Sequence, residues 1–163
     1  KYKERDYAII TLFLNCGMRL TELTSIDIDK IKDDTLVVIG KGDKERTVYL
    51  NKACTQAIND YLKVRSNVNT NALFISERKQ RINYRTVQKI VKKYLNKAGW
   101  DTNTLSTHSL RHTSATLLYK YGNVDIRALQ DILGHKSVST TEIYTHVDDE
   151  QLRTAVKSNP LNI

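Results

Sequence analysis

Three short segments of the sequence contain the side chains that can cleave a phosphodiester without a metal ion. Residues 107–112 read T-H-S-L-R-H, residues 133–135 read L-G-H, and residues 143–146 read I-Y-T-H. A guanidinium binds phosphate oxygens through two parallel, charge-assisted hydrogen bonds, an imidazole transfers protons near neutral pH, and a phenol can become a covalent nucleophile. A second arginine lies in G-M-R-L-T-E-L, residues 17–23. Together these groups predict phosphodiester cleavage.

The two arginines in these segments, Arg19 and Arg111, are candidates for binding a phosphate. In the transition state the nonbridging oxygens carry extra negative charge, and each guanidinium can stabilise it by on the order of 3 kcal/mol in a dry site. The alternative for each arginine is a structural salt bridge, which for Arg19 would involve Glu22. We expect Glu22 to anchor its helix or the neighbouring arginine rather than to take part in chemistry.

The four histidines all lie in the last third of the chain. His108 and His112 are four residues apart on a predicted helix, a spacing that zinc ligands also use. The zinc hydrolase motif has Glu directly after the first His, whereas this sequence has Ser109 there. No carboxylate or cysteine at ligand spacing accompanies the pair. We therefore expect neither a metal nor a cofactor.

The composition indicates one globular domain with a polyanionic partner. The chain has 163 residues, 40% of them hydrophobic, and a formal net charge of +8. Many ribosomal, membrane-surface and secreted proteins are also basic, so charge alone does not identify the partner. No apolar run could cross a bilayer, no signal peptide opens the sequence, and Cys16 and Cys54 match no metal spacing. We expect a cytoplasmic protein in which both thiols are buried and reduced.

A cluster of cations without an intervening acidic residue marks the middle of the chain. It consists of Arg78, Lys79, Arg81, Arg85, Lys89, Lys92, Lys93 and Lys97. Val87, Ile90 and Val91 would form the opposite, apolar side of the same helix. A charge run is usually only a solvated face, but one of a single sign on a helix favours binding to the DNA backbone. Arg85 or Lys89 could also reach base edges in a major groove.

Periodicity and capping residues predict a mainly helical chain with a small antiparallel sheet. Helices are expected over residues 5–16, 21–26, 52–65, 84–98, 109–121, 125–133, 140–146 and 148–156, with N-caps at Asn51 and Asn83. Strands are expected over residues 26–31, 35–39 and 47–50, with turns at 33–34 and 40–43. The last helix has an apolar stripe of Leu152, Ala155 and Val156 and must pack somewhere, because so short a helix is marginal alone.

These segments closely resemble the catalytic domain of the tyrosine recombinases, of the phage-integrase and Xer type. The motifs follow the order of that family, which is Arg, Lys, His-x-x-Arg, His, Tyr. The resemblance implies an α+β, mainly α fold with a small three-stranded antiparallel sheet. It also implies that residues 1–163 form the catalytic domain and that the N-terminal core-binding domain of full members is absent from this chain.

The resemblance further implies a role for each of six active positions, Arg19, Lys41, His108, Arg111, His135 and Tyr144. The arginines would bind the scissile phosphate, and Lys41, on a β-turn, would protonate the leaving 5′ oxygen. His108 would assist proton transfer or bind the phosphate, and His135 would donate a hydrogen bond to it. Tyr144, which follows a capping box at residues 139–142, would be the nucleophile among the nine tyrosines.

Several neighbouring residues receive secondary roles. Lys44 and Arg46, beside Lys41, are expected to contact the DNA backbone, as are Arg81, Arg85, Lys89, Lys92 and Lys93. His112 is expected to be a structural histidine that positions its helix. His146 is expected to be structural too, with a contact to the DNA backbone as the alternative.

The implied activity is site-specific recombination of double-stranded DNA through a covalent 3′-phosphotyrosyl intermediate, in integration and excision or in chromosome dimer resolution. Alternatives are a type IB topoisomerase-like nicking-closing enzyme and a non-catalytic DNA-binding module. The full-length protein would act as a homo- or hetero-tetramer on two DNA sites in a bacterial or archaeal cytoplasm, without a membrane, and the isolated domain would be largely monomeric. The C-terminal helix would pack on its own domain or, as in the family, on a neighbouring subunit.

Overall fold

The computed structural model describes residues 2–134 and 149–163. It contains a mainly helical domain with one small sheet, as predicted. The helices are α1 (Lys3–Cys16), α2 (Leu20–Ser25), α3 (Lys52–Val64), α4 (Tyr84–Lys97), α5 (Thr107–Tyr121), α6 (Ile126–Leu133) and α7 (Asp149–Lys157). The strands are β1 (Ile31–Lys32), β2 (Thr35–Ile39) and β3 (Glu45–Tyr49). The helix predicted over residues 140–146 lies outside the described residues.

Side chains predicted to cap helices do so. The Asn51 side chain accepts a hydrogen bond from the backbone of Cys54, and Asn83 accepts one from Thr86, which satisfies an amide that has no partner within the helix. Helix α1 ends at Gly17, whose φ of 58° is a left-handed conformation that favours glycine. These local signals explain why the helix boundaries follow the sequence prediction closely.

The sheet is antiparallel in the order β1-β2-β3, and one predicted strand is wrong. Residues 26–31 were expected to form the first strand, but β1 covers only Ile31–Lys32. Residues 26–28 instead pair with residues 71–73, since the Ile28 amide donates to the Asn71 carbonyl and the Leu73 amide donates to the Ile26 carbonyl, each at 2.8 Å. A 3₁₀ turn at Ile28–Lys30 then redirects the chain into β1.

The core forms around α1, which packs against α3, α4 and α5. Its residues Ile9, Leu12 and Phe13 are completely buried. Cys16 at the end of α1 meets Cys54 of α3, with 3.5 Å between the Sγ atoms. A hydrogen bond with Cys16, together with burial, raises the pKa of the Cys54 thiol. Both cysteines are free and buried, as the sequence predicted.

Helix α7 packs on its own domain, which is the first of the two alternatives that the sequence left open. Leu152, Ala155 and Val156 are buried in a second apolar cluster with residues of α5 and α6. The Asn51 amide group donates to the Val156 carbonyl at 3.2 Å, and Arg153 forms an ion pair with Asp34 at 3.0 Å. Across residues 2–134 and 149–163, the helices are too short or too polar to span a bilayer.

Candidate active site

Three arginines surround the C-terminal end of α6. Arg46 Nη1 donates to the Ile132 carbonyl at 2.7 Å, Arg111 Nη2 to the Leu133 carbonyl at 2.7 Å, and Arg19 Nη2 to the Gly134 carbonyl at 3.1 Å. Carbonyls at a helix C-terminus have no intrahelical partner and lie at the negative end of the helix dipole, so cations stabilise them. Arg19, Arg46 and Arg111 are called the guanidinium cluster below.

One carboxylate, that of Glu22, joins two members of the cluster. Its Oε1 accepts from Arg19 Nη1 at 3.0 Å and from Arg46 Nε at 2.8 Å. Its Oε2 accepts from the Arg19 backbone amide and from Arg46 Nη2, both at 2.8 Å. Burial alone would raise the pKa of this fully buried group, but the hydrogen bonds and charge of Arg46 and the hydrogen bonds of Arg19 hold it below its ordinary value. Glu22 therefore anchors α2 and its neighbouring arginine, as the sequence predicted.

Arg111 is the most buried member of the cluster, with an exposed fraction of 6%. Its Nη1 donates to the Gly17 carbonyl, so Arg111 connects the end of α1 with the end of α6. Burial and then the positive charge of Arg19 lower the pKa of Arg111 to about 10. The group is still charged at neutral pH, and the lowered pKa reflects first its burial and then the neighbouring cations.

The charges of this site leave an excess suited to an anion. Among the residues that the structure describes, three guanidiniums face one carboxylate, Glu22, which leaves two positive charges without a carboxylate partner. The Arg19 side chain keeps 29% of its surface exposed, so the cluster is open to a ligand on that side. Preorganised guanidiniums of this kind can bind the nonbridging oxygens of a phosphodiester and stabilise the extra charge of its transition state.

Gly134 permits the close approach of the arginines. Its φ of 67° is left-handed, and a Cβ there would lie 2.6 Å from Arg46 Cδ and 3.3 Å from Arg19 Nη1. Gly17 permits a close approach between the end of α1 and the end of α6, since a Cβ there would lie 2.6 Å from Leu133 Cδ2. The glycine of the L-G-H motif is thus required by packing against the cluster.

The hairpin that carries Lys41 is attached to the same cluster. The Gly40 amide donates to the Lys44 carbonyl at 2.7 Å, which closes the turn. A Cβ at Gly40 would lie 3.6 Å from Glu22 Oε1, so the base of the hairpin lies against the buried carboxylate. Lys41 and Lys44 are exposed at the tip. This position suits a side chain that must reach a bound substrate, and the role of Lys41 as general acid stays a prediction.

We expect Lys41→Ala to slow cleavage of ordinary DNA without a comparable loss of affinity. A 5′-bridging phosphorothiolate has a leaving group that needs no proton, so the variant should recover on that substrate. The measurement is the single-turnover rate on both substrates, with Lys44→Ala as the matched control on the same turn. A Lys41→Ala defect that persisted on the phosphorothiolate would assign the proton to Lys44 or reduce Lys41 to an electrostatic role.

The remaining predicted active positions are placed only in part. His108 is exposed on the first turn of α5, three residues before Arg111, and His112 is exposed one turn later. His135, Tyr144 and His146 lie outside the described residues, so their roles stay predictions. Within the described ranges, no three His, Cys, Asp or Glu side chains are arranged to share a metal ion.

Two of the residues predicted to contact the DNA backbone have partners within the protein. Arg46 donates hydrogen bonds to the Glu22 carboxylate and to the Ile132 carbonyl, and its side chain is 13% exposed. Arg81 forms an ion pair with Asp27 and donates to the Ile26 carbonyl, so it fixes the end of α2. The sequence contained a signal for Arg46, because it precedes buried Val48 by two residues on the same strand face.

Four other residues predicted to contact the DNA backbone lie along α4. Arg85, Lys89, Lys92 and Lys93 are exposed, whereas the Val87, Ile90 and Val91 side is buried. Lys89 and Lys93 line a groove of about 940 Å³ between the start of α1 and the start of α4. Lys93 also lies 4.0 Å from Asp6. The predicted amphipathic helix is confirmed, and its contact with DNA stays a prediction.

Neutralising Arg85, Lys89 and Lys92 together should weaken binding to all DNA sequences. The slope of log affinity against log salt should flatten by roughly one for each phosphate that the protein no longer neutralises. Fluorescence anisotropy with labelled duplexes over a salt series measures both quantities. Lys52→Gln and Lys63→Gln on α3 serve as the control for loss of surface charge, and equal slopes in the two sets would make α4 an ordinary solvated face.

The comparisons with known proteins agree with this geometry. The model of the phage integrase family matches residues 1–151. A protein named tyrosine recombinase XerC from Caldanaerobacter subterraneus subsp. tengcongensis is 62% identical over 99% of this chain and 46% of its own length. A protein of the same name from Corynebacterium glutamicum is 44% identical, over 96% of this chain and 51% of its own. The chain thus spans about half the length of these relatives.

Solved structures show the same fold. XerA recombinase is 34% identical, with a TM-score of 0.75, and the match covers 92% of this chain and 56% of that one. XerH recombinase bound to its difH substrate is 31% identical, with a TM-score of 0.73, over 94% of this chain and 46% of that one. The family model covers most of the chain, and the motifs of the site lie within it. The chain therefore belongs to the phage integrase family, the tyrosine recombinases.

Proposed function

We propose that this chain is the catalytic part of a site-specific recombinase that cleaves and rejoins double-stranded DNA. The observation that carries the proposal is the guanidinium cluster at the end of α6, where Arg19 and Arg111 donate to the consecutive carbonyls of Gly134 and Leu133. Two separated parts of the chain thereby place their cations at the residue that precedes His135. An excess of positive charge at this point suits a phosphodiester.

In the proposed reaction, Tyr144 attacks the scissile phosphorus and displaces the 5′ oxygen. The products are a 3′-phosphotyrosyl bond and a 5′ hydroxyl whose proton comes from Lys41. Arg19 and Arg111 bind the nonbridging oxygens, His108 accepts the proton that the Tyr144 phenol loses, and His135 donates a hydrogen bond to the phosphate. The reverse step, with a hydroxyl from another duplex, joins a new strand. The phosphotyrosyl bond keeps the energy of the phosphodiester, so the proposed reaction needs no ATP. It also needs no metal ion.

The biological reaction that we propose is recombination between chromosomal sites, as in chromosome dimer resolution. Support comes from the relative named tyrosine recombinase XerC, which is 62% identical to this chain. Integration of a mobile element is the second candidate, because the integrase of a mycobacterial phage shares the fold with a TM-score of 0.77 and 25% identity. We also propose a preceding core-binding domain and a tetramer on two DNA sites, with a largely monomeric isolated domain.

Covalent trapping tests the proposal. The protein is incubated in EDTA, without ATP, with a pool of nicked duplexes of randomised sequence, and the products are separated on a denaturing gel. A nick near the cleaved bond releases a short fragment and prevents rejoining, so a protein–DNA adduct should accumulate. Sequencing the trapped DNA gives the target site. Strict dependence on added magnesium or ATP would contradict the mechanism, and relaxation of supercoils without any exchange would favour the topoisomerase-like alternative.

A further inference from the structure

Arg46 is the member of the guanidinium cluster that the proposed reaction leaves without a role. We propose that Arg46 is a positioning residue that neutralises Glu22 and thereby keeps Arg19 available, in charge and in orientation, for the scissile phosphate. This inference rests on the proposed function. It replaces the expectation that Arg46 contacts the DNA backbone.

Arg46 and Arg19 share the carboxylate of Glu22, but Arg46 binds it with more hydrogen bonds from its side chain. Arg46 uses Nε and Nη2 to bind both oxygens of Glu22 at 2.8 Å, whereas Arg19 reaches the carboxylate through one side-chain nitrogen at 3.0 Å. The bidentate pair is therefore Arg46–Glu22. A fully buried carboxylate must be paired. Without Arg46, the whole charge of Glu22 would fall on Arg19, and the pair would be neutral toward a phosphate.

Arg46 also contributes to the net positive charge of the guanidinium cluster. Within residues 2–134 and 149–163, Arg19, Arg46 and Arg111 face the carboxylate of Glu22 alone, which leaves two positive charges. Removing the charge of Arg46 would halve that excess at a site where the transition state gains negative charge. In a partly buried site this change is screened much less than it would be on the surface. The loss should therefore appear in the rate of cleavage rather than in DNA affinity.

Arg46 also connects three elements of the candidate site. Arg46 lies on β3 opposite Val38, and the turn that carries Lys41 connects these two strands. Its Nη1 binds the Ile132 carbonyl, and its side chain packs against Gly134. One guanidinium thus connects the hairpin of the candidate general acid, the helix that follows the first arginine and the segment that leads to His135. A change at Arg46 should therefore disturb the relative placement of all three elements.

The test separates this role from ordinary structural support. Arg5 is the matched control, because its Nε and Nη2 bind Asp6 and its Nη1 binds the Ile75 carbonyl, a similar pattern at a different place. Single-turnover cleavage at saturating protein is measured for Arg46→Met and Arg5→Met. Arg46→Met should cleave at least about thirtyfold more slowly, on the scale of one missing electrostatic interaction, whereas Arg5→Met stays within about threefold.

A double-mutant cycle with Glu22→Gln tests the charge argument directly. Without the carboxylate charge there is nothing for Arg46 to neutralise, so adding Arg46→Met to Glu22→Gln should cost less than about fivefold, the part that comes from the lost contact with the Ile132 carbonyl. Arg46→Lys, which restores the charge without the fork, should recover part of the rate and keeps the test valid if Arg46→Met folds poorly. Equal losses in both backgrounds, or a parental rate for Arg46→Met, would overturn the inference alone. Absence of an adduct with the parent protein would overturn the proposed function with it.

Discussion

Replacing Tyr144 by phenylalanine should abolish the covalent adduct altogether. The substitution removes only the phenolic oxygen, so the proposed nucleophile is lost while the ring is kept. The measurement is the amount of protein–DNA adduct from the nicked duplexes in EDTA, on a denaturing gel. DNA affinity, measured by anisotropy under the same conditions, should remain near that of the parent.

Two other tyrosines provide the control for this experiment. Tyr119 and Tyr121 are more than half exposed near the end of α5. Tyr119→Phe and Tyr121→Phe should leave the adduct unchanged. If either of them abolished it while Tyr144→Phe did not, the nucleophile would be assigned wrongly. The alternative of a non-catalytic DNA-binding module predicts no adduct from the parent either.

The second large effect is expected at Arg19 and Arg111. Substitution of either by alanine should lower the cleavage rate by about a hundredfold or more, the scale of a lost oxyanion donor. Overall DNA affinity should fall far less, because many other cations are predicted to contact the DNA backbone. Arg111→Lys should be nearly as slow as Arg111→Ala, since an ammonium keeps the charge but cannot bind the Gly17 and Leu133 carbonyls as a planar fork does.

The matched control for Arg111 is Arg65, another arginine that organises backbone carbonyls. Arg65 donates to the carbonyls of Leu73 and Ala72 at 3.0 and 2.7 Å. Arg65→Lys removes similar hydrogen bonds and should change stability without lowering the single-turnover rate of the folded protein. If Arg111→Lys behaved like Arg65→Lys, with reduced thermal stability and a parental cleavage rate, then Arg111 would have a structural role only.

The local features of this fold could be predicted from the sequence. Apolar spacing and the caps Asn51 and Asn83 define helices through contacts within a few residues, so α1, α3 and α4 were located to within about two residues. The failed strand had the opposite cause. Residues 26–28 have the side chains of a strand, but their partners, residues 71–73, are distant in sequence, and β-propensity does not reveal a pairing partner.

The candidate site was predicted as a set of residues rather than as an arrangement. The motifs identified Arg19 and Arg111, and the structure brings them to consecutive carbonyls at the end of α6. Arg46 was predicted to contact the DNA backbone because it lies beside Lys41 in a basic hairpin. Its actual partners are Glu22 and a backbone carbonyl, and backbone acceptors leave no mark in the sequence.

The packing of α7 on its own domain limits the region that Tyr144, the proposed nucleophile, can reach. Tyr144 precedes Asp149, the first residue of α7, by five positions, and five residues of extended chain span at most about 18 Å. At the other end, Gly134 is bound by Arg19. The phenol of Tyr144 is therefore confined to a limited distance from the start of α7, where its effective concentration is high, and it cannot act beyond that distance. Where α7 is anchored therefore sets which phosphate the phenol can reach, although α7 itself need touch no DNA.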